Sequence, residues 1–177
     1  MEWKDEGGRG WCSPTSVSMV LAHAGTLPAT TDTGSIDVAA AARQVHDPAW
    51  EGTGNWSFNT AWAATLAGNA FVTRLPDLRD AERFIDAGIP LVASVAYPNG
   101  ALKSAPVRGT DGHLVVIRGF TAAGDVVTND PAAPSERTVR RTYDRGQFEQ
   151  AWLRSGGTVY VVHRDDQELP PQSRGAW

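Results

Sequence analysis

The 177-residue chain has a single cysteine, Cys12, in the run Gly10-Trp11-Cys12-Ser13-Pro14-Thr15-Ser16, and a helix is predicted to begin there. Pro14 fits a helical first turn, because the N–H it lacks would have had no partner in that turn. Beyond it Val17, Val20, Leu21 and Ala24 recur at helical spacing, with Met19 and Ala22 flanking the stripe. Ser13, or Cys12 itself, therefore falls at or next to the N-cap. A thiol so placed sits beside unpaired backbone N–H groups and the positive end of the macrodipole, and both favour thiolate over thiol. Thiolate is the nucleophilic form, and the same N–H groups could cradle an oxyanion. The plain alternative is a lone cysteine packing as a small hydrophobe. The upstream glycines Gly7, Gly8 and Gly10 weigh against it, since they let a backbone turn sharply and approach closely.

A cysteine nucleophile needs a base, usually histidine, and a group that orients the base. Of the four histidines, His23 and His46 lie near predicted helix C-termini, where a cation satisfies terminal carbonyls. His163 ends a strand before a charged tail, which suits the surface. His113 stands at the mouth of an apolar strand, directly after a glycine-rich loop, where a side chain can face a cleft while its backbone is held. The following strand offers the orienting group. If Phe120 pairs with Asp125 across the turn, Asp130 falls opposite Val115 and becomes the diagonal neighbour of His113, about 7–8 Å away between backbones. A slip of one residue would offer Asn129 instead. Either type can orient an imidazole, and a turn capped locally by Asn129-Asp130-Pro131 is the structural alternative.

Two other chemistries rank lower. Zinc held by Cys12, His113 and Asp130 would lack any closely spaced ligand pair of the H-E-x-x-H kind. Asp32-Thr33-Gly34-Ser35 reads like the tetrapeptide of aspartic proteases, but that chemistry needs two facing carboxylates and the chain has no second copy. No phosphate-cradling glycine loop follows a predicted strand.

The elements that must position these groups follow in order. After the first helix, Gly25 and Pro28 form a stop, and Ser35 caps a predicted alanine-rich helix over Ile36–His46. Trp56–Leu66 forms a third helix, Phe71–Leu75 a short strand, Asp77–Ala87 a helix, and Pro90–Tyr97 a buried strand. A polar loop spans Pro98–Gly112, a length that is often functional. His113–Phe120, apolar on both faces, belongs in a sheet interior. Asp125–Asp130 is a strand, and Glu136–Tyr143, rich in arginine, an edge strand. Asp144 caps a helix reaching Leu153, and Thr158–His163 is the last buried strand. Helices first and strands afterwards make this α+β, an N-terminal helical half packed on a C-terminal antiparallel sheet. Residues 1–165 form one domain, and 166–177 a loosely held tail.

Composition narrows the partners. A net charge of −4 with no basic stripe argues against nucleic acid and anionic membranes. One cysteine rules out an internal disulfide, and no apolar run reaches the length of a membrane span. The acidic start is unlike a signal peptide, so the protein is cytoplasmic if Met1 is its natural start. Tryptophans beside glycine joints, at Trp11, Trp50 and Trp56, suggest an aromatic-lined cleft.

Together, Gly7–Ser16, Asp111-Gly112-His113-Leu114-Val115-Val116 and Val126-Val127-Thr128-Asn129-Asp130-Pro131 resemble a papain-like cysteine peptidase. More narrowly, the chain is similar to stand-alone bacterial relatives of the double-glycine bacteriocin-processing peptidases, as are its segments Gln147–Trp152 and Gly156–Tyr160. The resemblance implies a papain-like fold, with Cys12 as nucleophile, His113 as general base and then acid, and Asp130 as orienter. It implies a peptide or protein substrate, an acyl-enzyme thioester and no cofactor. Amide transfer, or a catalytically weak module that binds a peptide or cell-wall fragment, are the alternatives. It also implies an oxyanion hole made by the Cys12 N–H and an upstream glutamine. The first glutamine here is Gln44. Either the chain begins just after that donor, as a piece of a longer, exported protein, which is the expectation, or the donor is missing, at a cost of about 10²–10³ in rate.

Overall fold

The structure is a computed structural model that describes residues 10–27, 37–172 and 177. Ser35 and the tetrapeptide from Asp32 lie outside the described residues, as does everything before Gly10. In chain order the elements are α1 (Cys12–His23), α2 (Val38–Gln44), α3 (Trp56–Ala67), β1 (Asn69–Arg74), α4 (Leu78–Asp86), β2 (Leu91–Tyr97), β3 (Thr110–Phe120), β4 (Val126–Asn129), β5 (Arg140–Tyr143), α5 (Arg145–Arg154) and β6 (Thr158–His163). A single 3₁₀ turn at Glu136–Thr138 replaces the first half of the strand predicted to start at Glu136.

The strands form one antiparallel sheet in the order β1-β6-β2-β3-β4-β5. β2, β3 and β6 are interior and carry buried apolar runs, Leu114–Ile117 in β3 among them, whereas the arginine-rich β5 lies at an edge. Alternate side chains point to opposite faces of a sheet. On one face Val92, Leu114, Val116, Tyr160 and Val162 pack against Val17, Val20 and Leu21 of α1 and Ala63 and Ala67 of α3. On the other, Ala93, Val95, Val115, Ile117 and Val161 pack against Leu78, Ala81 and Phe84 of α4 and Phe148 and Trp152 of α5. The fold is thus α+β as predicted. Its helices cover both faces, because β2, β3 and β6 are apolar on both and neither side can be left wet.

Side-chain caps start most helices. Asp37 accepts from Ala40 N, Asn55 from Ser57 N and Phe58 N, Asp77 from Arg79 N and Asp80 N, and Asp144 from Gln147 N. Such caps satisfy orphan N–H groups. Among the described α-helices only α1 lacks one. Its N-cap residue is Trp11 and Cys12 is the first helical residue.

Several of the described residues of the tail touch the body of the fold. Gln167 Nε2 donates to the carbonyls of Ala87 and Gly88 at 3.2 and 3.1 Å, and Arg83 donates to Pro171 O at 3.3 Å. The Trp177 indole meets Phe84 edge-on with centroids 4.8 Å apart. Its apolar residues, Leu169 and Trp177, are what bring it down onto the core beside α4.

A glycine pair sets the entry to β6. Gly156 and Gly157 both have positive φ, +74° and +67°. A Cβ on Gly156 would touch only the Arg74 and Thr158 side chains, at 3.5 Å or more, whereas one on Gly157 would run into the Leu75 carbonyl. Gly156→Ala should therefore cost about 1–2 kcal/mol, the price of a left-handed non-glycine residue. Gly157→Ala should cost more. Urea unfolding midpoints measure the two losses, and equal losses would contradict the clash.

Candidate active site

α1 is fastened to the sheet by short polar side chains rather than by its apolar stripe alone. Ser16 Oγ donates to Leu114 O at 3.1 Å, and Ser13 Oγ shares a hydrogen bond of 2.9 Å with Tyr160 OH. Both serines are fully buried. Ser13 is thus an anchor into β6, not a cap. The turn before α1 is braced from the other side. Thr53 Oγ1 donates to Gly10 O at 3.2 Å, and Asn59 Nδ2 holds the Thr53 carbonyl at 2.8 Å. The Trp50 ring of the same loop lies over Gly52 and Gly54 and is 64% exposed, so it does not line a closed cleft.

β3 begins earlier than the sequence suggests, at Thr110, and carries a bulge. Val95 pairs with His113 but Tyr97 pairs with Thr110, so Asp111 and Gly112 together face Ala96. A bulge of this kind bends a strand and re-aims the next side chain. That side chain is His113. On the other side of β3, Phe120 pairs with Val126 rather than Asp125, and a second bulge at Arg118 takes up one residue. Beyond it Val116 pairs with Asn129, which sets Asp130 opposite Val115. Asn129 lies on the other face and accepts from Arg118 at 3.4 Å.

The three candidate residues converge. His113 Nε2 lies 2.8 Å from Asp130 Oδ1, and the Cys12 thiol, which donates to Gly10 O at 3.9 Å, is near enough to the ring for each to shift the other's titration. Asp130 is 1% exposed and His113 5%, while Cys12 is partly exposed at the end of the line. The carboxylate is fully supplied with donors. Besides His113, Ala132 N donates to Oδ1 at 3.0 Å and Tyr143 OH to Oδ2 at 2.8 Å. Nothing in the sequence singled out Tyr143, although it is the only aromatic residue on its strand. The sequence marks Ser13 only as an N-cap candidate, and Ser16 and Thr53 carry no signal.

Burial by itself would push the Cys12 thiol up, disfavour charge on His113 and push the Asp130 carboxyl up. Each effect is outweighed. The hydrogen bond and charge of His113, with the backbone N–H groups of Leu114 and Ser13, bring Cys12 below its ordinary value. Asp130 and Cys12 hold the imidazolium up to about 9. His113, Tyr143 and Ala132 hold Asp130 below the usual carboxylate range. The shifts run toward a thiolate and an imidazolium, in a cysteine that as a residue is partly exposed. Among the described residues, no three His, Cys, Asp or Glu side chains are grouped so as to hold a metal ion.

The model of the Peptidase_C39-like family matches residues 1–160. The chain belongs to that family. The structure is also similar to a candidate C39-like peptidase from Bacillus anthracis, with a TM-score of 0.59, 20% identity and 90% of each chain covered. At that identity the likeness speaks to the fold, which is α+β and papain-like. No curated protein matches the chain significantly. The family and fold are those of cysteine peptidases. No described helix of this C39-like chain is long and apolar enough to cross a membrane.

The electrostatics make a testable statement. The imidazolium titrates higher in the folded protein, about 9, than its ordinary 6.5, so its pairing stabilises the fold fully below pH 6.5 and that contribution is lost as pH rises through about 9. In Asp130→Asn the main source of that elevation is gone. The His113 ring, followed by NMR, should then titrate well below 9, and the decline in stability between those pH values should flatten. An imidazole titration unmoved by Asp130→Asn would show that the pair is not coupled.

Proposed function

We propose that this C39-like protein hydrolyses a peptide amide bond, with Cys12 as nucleophile, His113 as general base and acid, and Asp130 as the group that orients the imidazole. The observation that carries the reading is the buried His113–Asp130 hydrogen bond, with Cys12 at the uncapped start of α1 close enough to the imidazole for the two to shift each other's titration. A buried carboxylate and a buried imidazole are costly to keep unless they act, since charges are expensive in an apolar interior. That cost weighs against a module that only binds.

In the first half-reaction the thiolate adds to the amide carbonyl carbon. The oxyanion that forms faces the first-turn N–H groups of α1, among them that of Cys12, which have no side-chain cap to compete for them. Collapse of the tetrahedral intermediate breaks the C–N bond. The departing amine takes the proton from His113 Nδ1 and leaves a thioester on Cys12. His113, now neutral, removes a proton from water as the water oxygen adds to the thioester carbon. Expulsion of the sulfur restores the thiolate–imidazolium pair and releases the carboxylic acid. Asp130 keeps its proton-free form throughout and holds the ring in one tautomer, with Nε2–H toward itself.

Wild-type protein should react with iodoacetamide at pH 7 at least about tenfold faster than free cysteine, because a larger share of the thiol is ionised. Cys12→Ala should remove both the labelling and all hydrolysis of a mixed peptide library. Mass spectrometry of that library, with a small primary amine present, separates hydrolysis from amide transfer. Labelling of the wild type at the free-cysteine rate would defeat the proposal.

A further inference from the structure

The family relationship accounts for a cysteine, a histidine and a carboxylate. It leaves unexplained a fourth polar group in the same interior. Tyr143 is 1% exposed, and its phenol O–H donates to Asp130 Oδ2 at 2.8 Å. We propose that Tyr143 is a positioning residue of this site, the group that locks the Asp130 carboxylate so that its other oxygen is presented to His113. The inference rests on the reading of Cys12, His113 and Asp130 given above.

The local geometry leaves Tyr143 little other purpose for its hydroxyl. Its ring lies nearly parallel to Phe148, with centroids 6.0 Å apart and planes 18° from each other, inside the core between the sheet and α5. A phenylalanine would fill that space equally well. The hydroxyl is what differs, and it points at the carboxylate. Rotation about a carboxylate's terminal bond is soft, so a single partner does not decide which oxygen faces which way. Here Oδ1 takes His113 and Ala132 N, and Oδ2 takes Tyr143. Turning the carboxylate plane out of this setting would break three bonds together.

The groups that face this cluster come from every element around it. His113 lies on β3 and Tyr97 on β2, Cys12 of α1 acts on the His113 ring, and Arg141 of β5 acts on the Tyr143 phenol. Tyr97 spends its own O–H on Val107 O, 3.1 Å away, and so does not serve the carboxylate. Burial and the adjacent Asp130 hold the Tyr143 phenol well above its ordinary value, and it remains a donor across the working range. A group that always donates cannot relay a proton. It can only fix and hold the anion.

Tyr143→Phe tests this. The variant should keep KM within about twofold and lose roughly 10–100-fold in kcat, the usual scale for groups that orient a ligand or base from behind. The Asp130 carboxyl, followed by carbon NMR, should protonate at higher pH than in the wild type, because one donor to the anion is gone. A purely structural role would lower the melting temperature without moving that titration. Tyr97→Phe, which removes a buried hydroxyl without touching Asp130, should leave the titration where it was. If Tyr143→Phe fails to fold, 3-fluorotyrosine at position 143 keeps the shape and donates more strongly, and should move the Asp130 titration down. A folded Tyr143→Phe with wild-type kcat, or an Asp130 titration unmoved in both replacements, would overturn the inference. Hydrolysis surviving in Cys12→Ala would instead overturn the proposed function, while the carboxyl titration would still report whether Tyr143 serves Asp130.

Discussion

A buried ion pair between His113 and Asp130 is the constraint around which the rest of this C39-like fold is arranged. Both side chains are nearly inaccessible, and either one alone would be an uncompensated polar or charged group in the core. Their coexistence requires β3 and β4 to be in one particular register and requires a further donor for the second carboxylate oxygen. It also requires a partner for the far nitrogen of the ring. Cys12 shares the electrostatics of that ring, which ties the thiol to the buried pair.

That dependence explains why α1 is held as it is. Four of the described α-helices begin with a side-chain cap, which stabilises each by roughly 0.5–2 kcal/mol. Among the described residues α1 has no side-chain cap, so no capping side chain occupies its first N–H groups. Its stability comes from elsewhere, through Ser16 on Leu114, Ser13 on Tyr160 and an apolar face against β3. Small buried serines let the helix approach the sheet closely and also fix its rotation and slide. Apolar packing alone, being non-directional, would not do that.

The hairpin shows how a correct placement can follow from a mistaken premise. Pairing of Phe120 with Asp125 predicted Asp130 opposite Val115. Phe120 in fact pairs with Val126, and the bulge at Arg118 cancels the one-residue difference before the ladder reaches Val116 and Asn129. Without the bulge Asp130 would sit on the wrong face. Period-two patterning cannot reveal an unpaired residue within a strand, and Arg118 has no local feature that marks one. The early start of β3 was hidden for the same reason, since Asp111 and Gly112 look like loop residues and are the two that bulge.

The chain alone determined those properties that depend on spacing and residue type. These are the helix that begins at the sole cysteine, the apolar strands, the α+β class, and His113 and Asp130 as the candidates worth attention. Each rests on local periodicity or on the scarcity of a reactive side chain, and both are written in the order of residues. Only the tertiary structure decided that α4 and α5 cover the second face and that Gln167, Leu169 and Trp177 lie beside α4. It alone turned Ser13 into an anchor and put the Tyr143 hydroxyl on Asp130. Those outcomes depend on two strand bulges and on contacts between residues far apart in the chain, and no local pattern encodes which of several buried polar groups will meet.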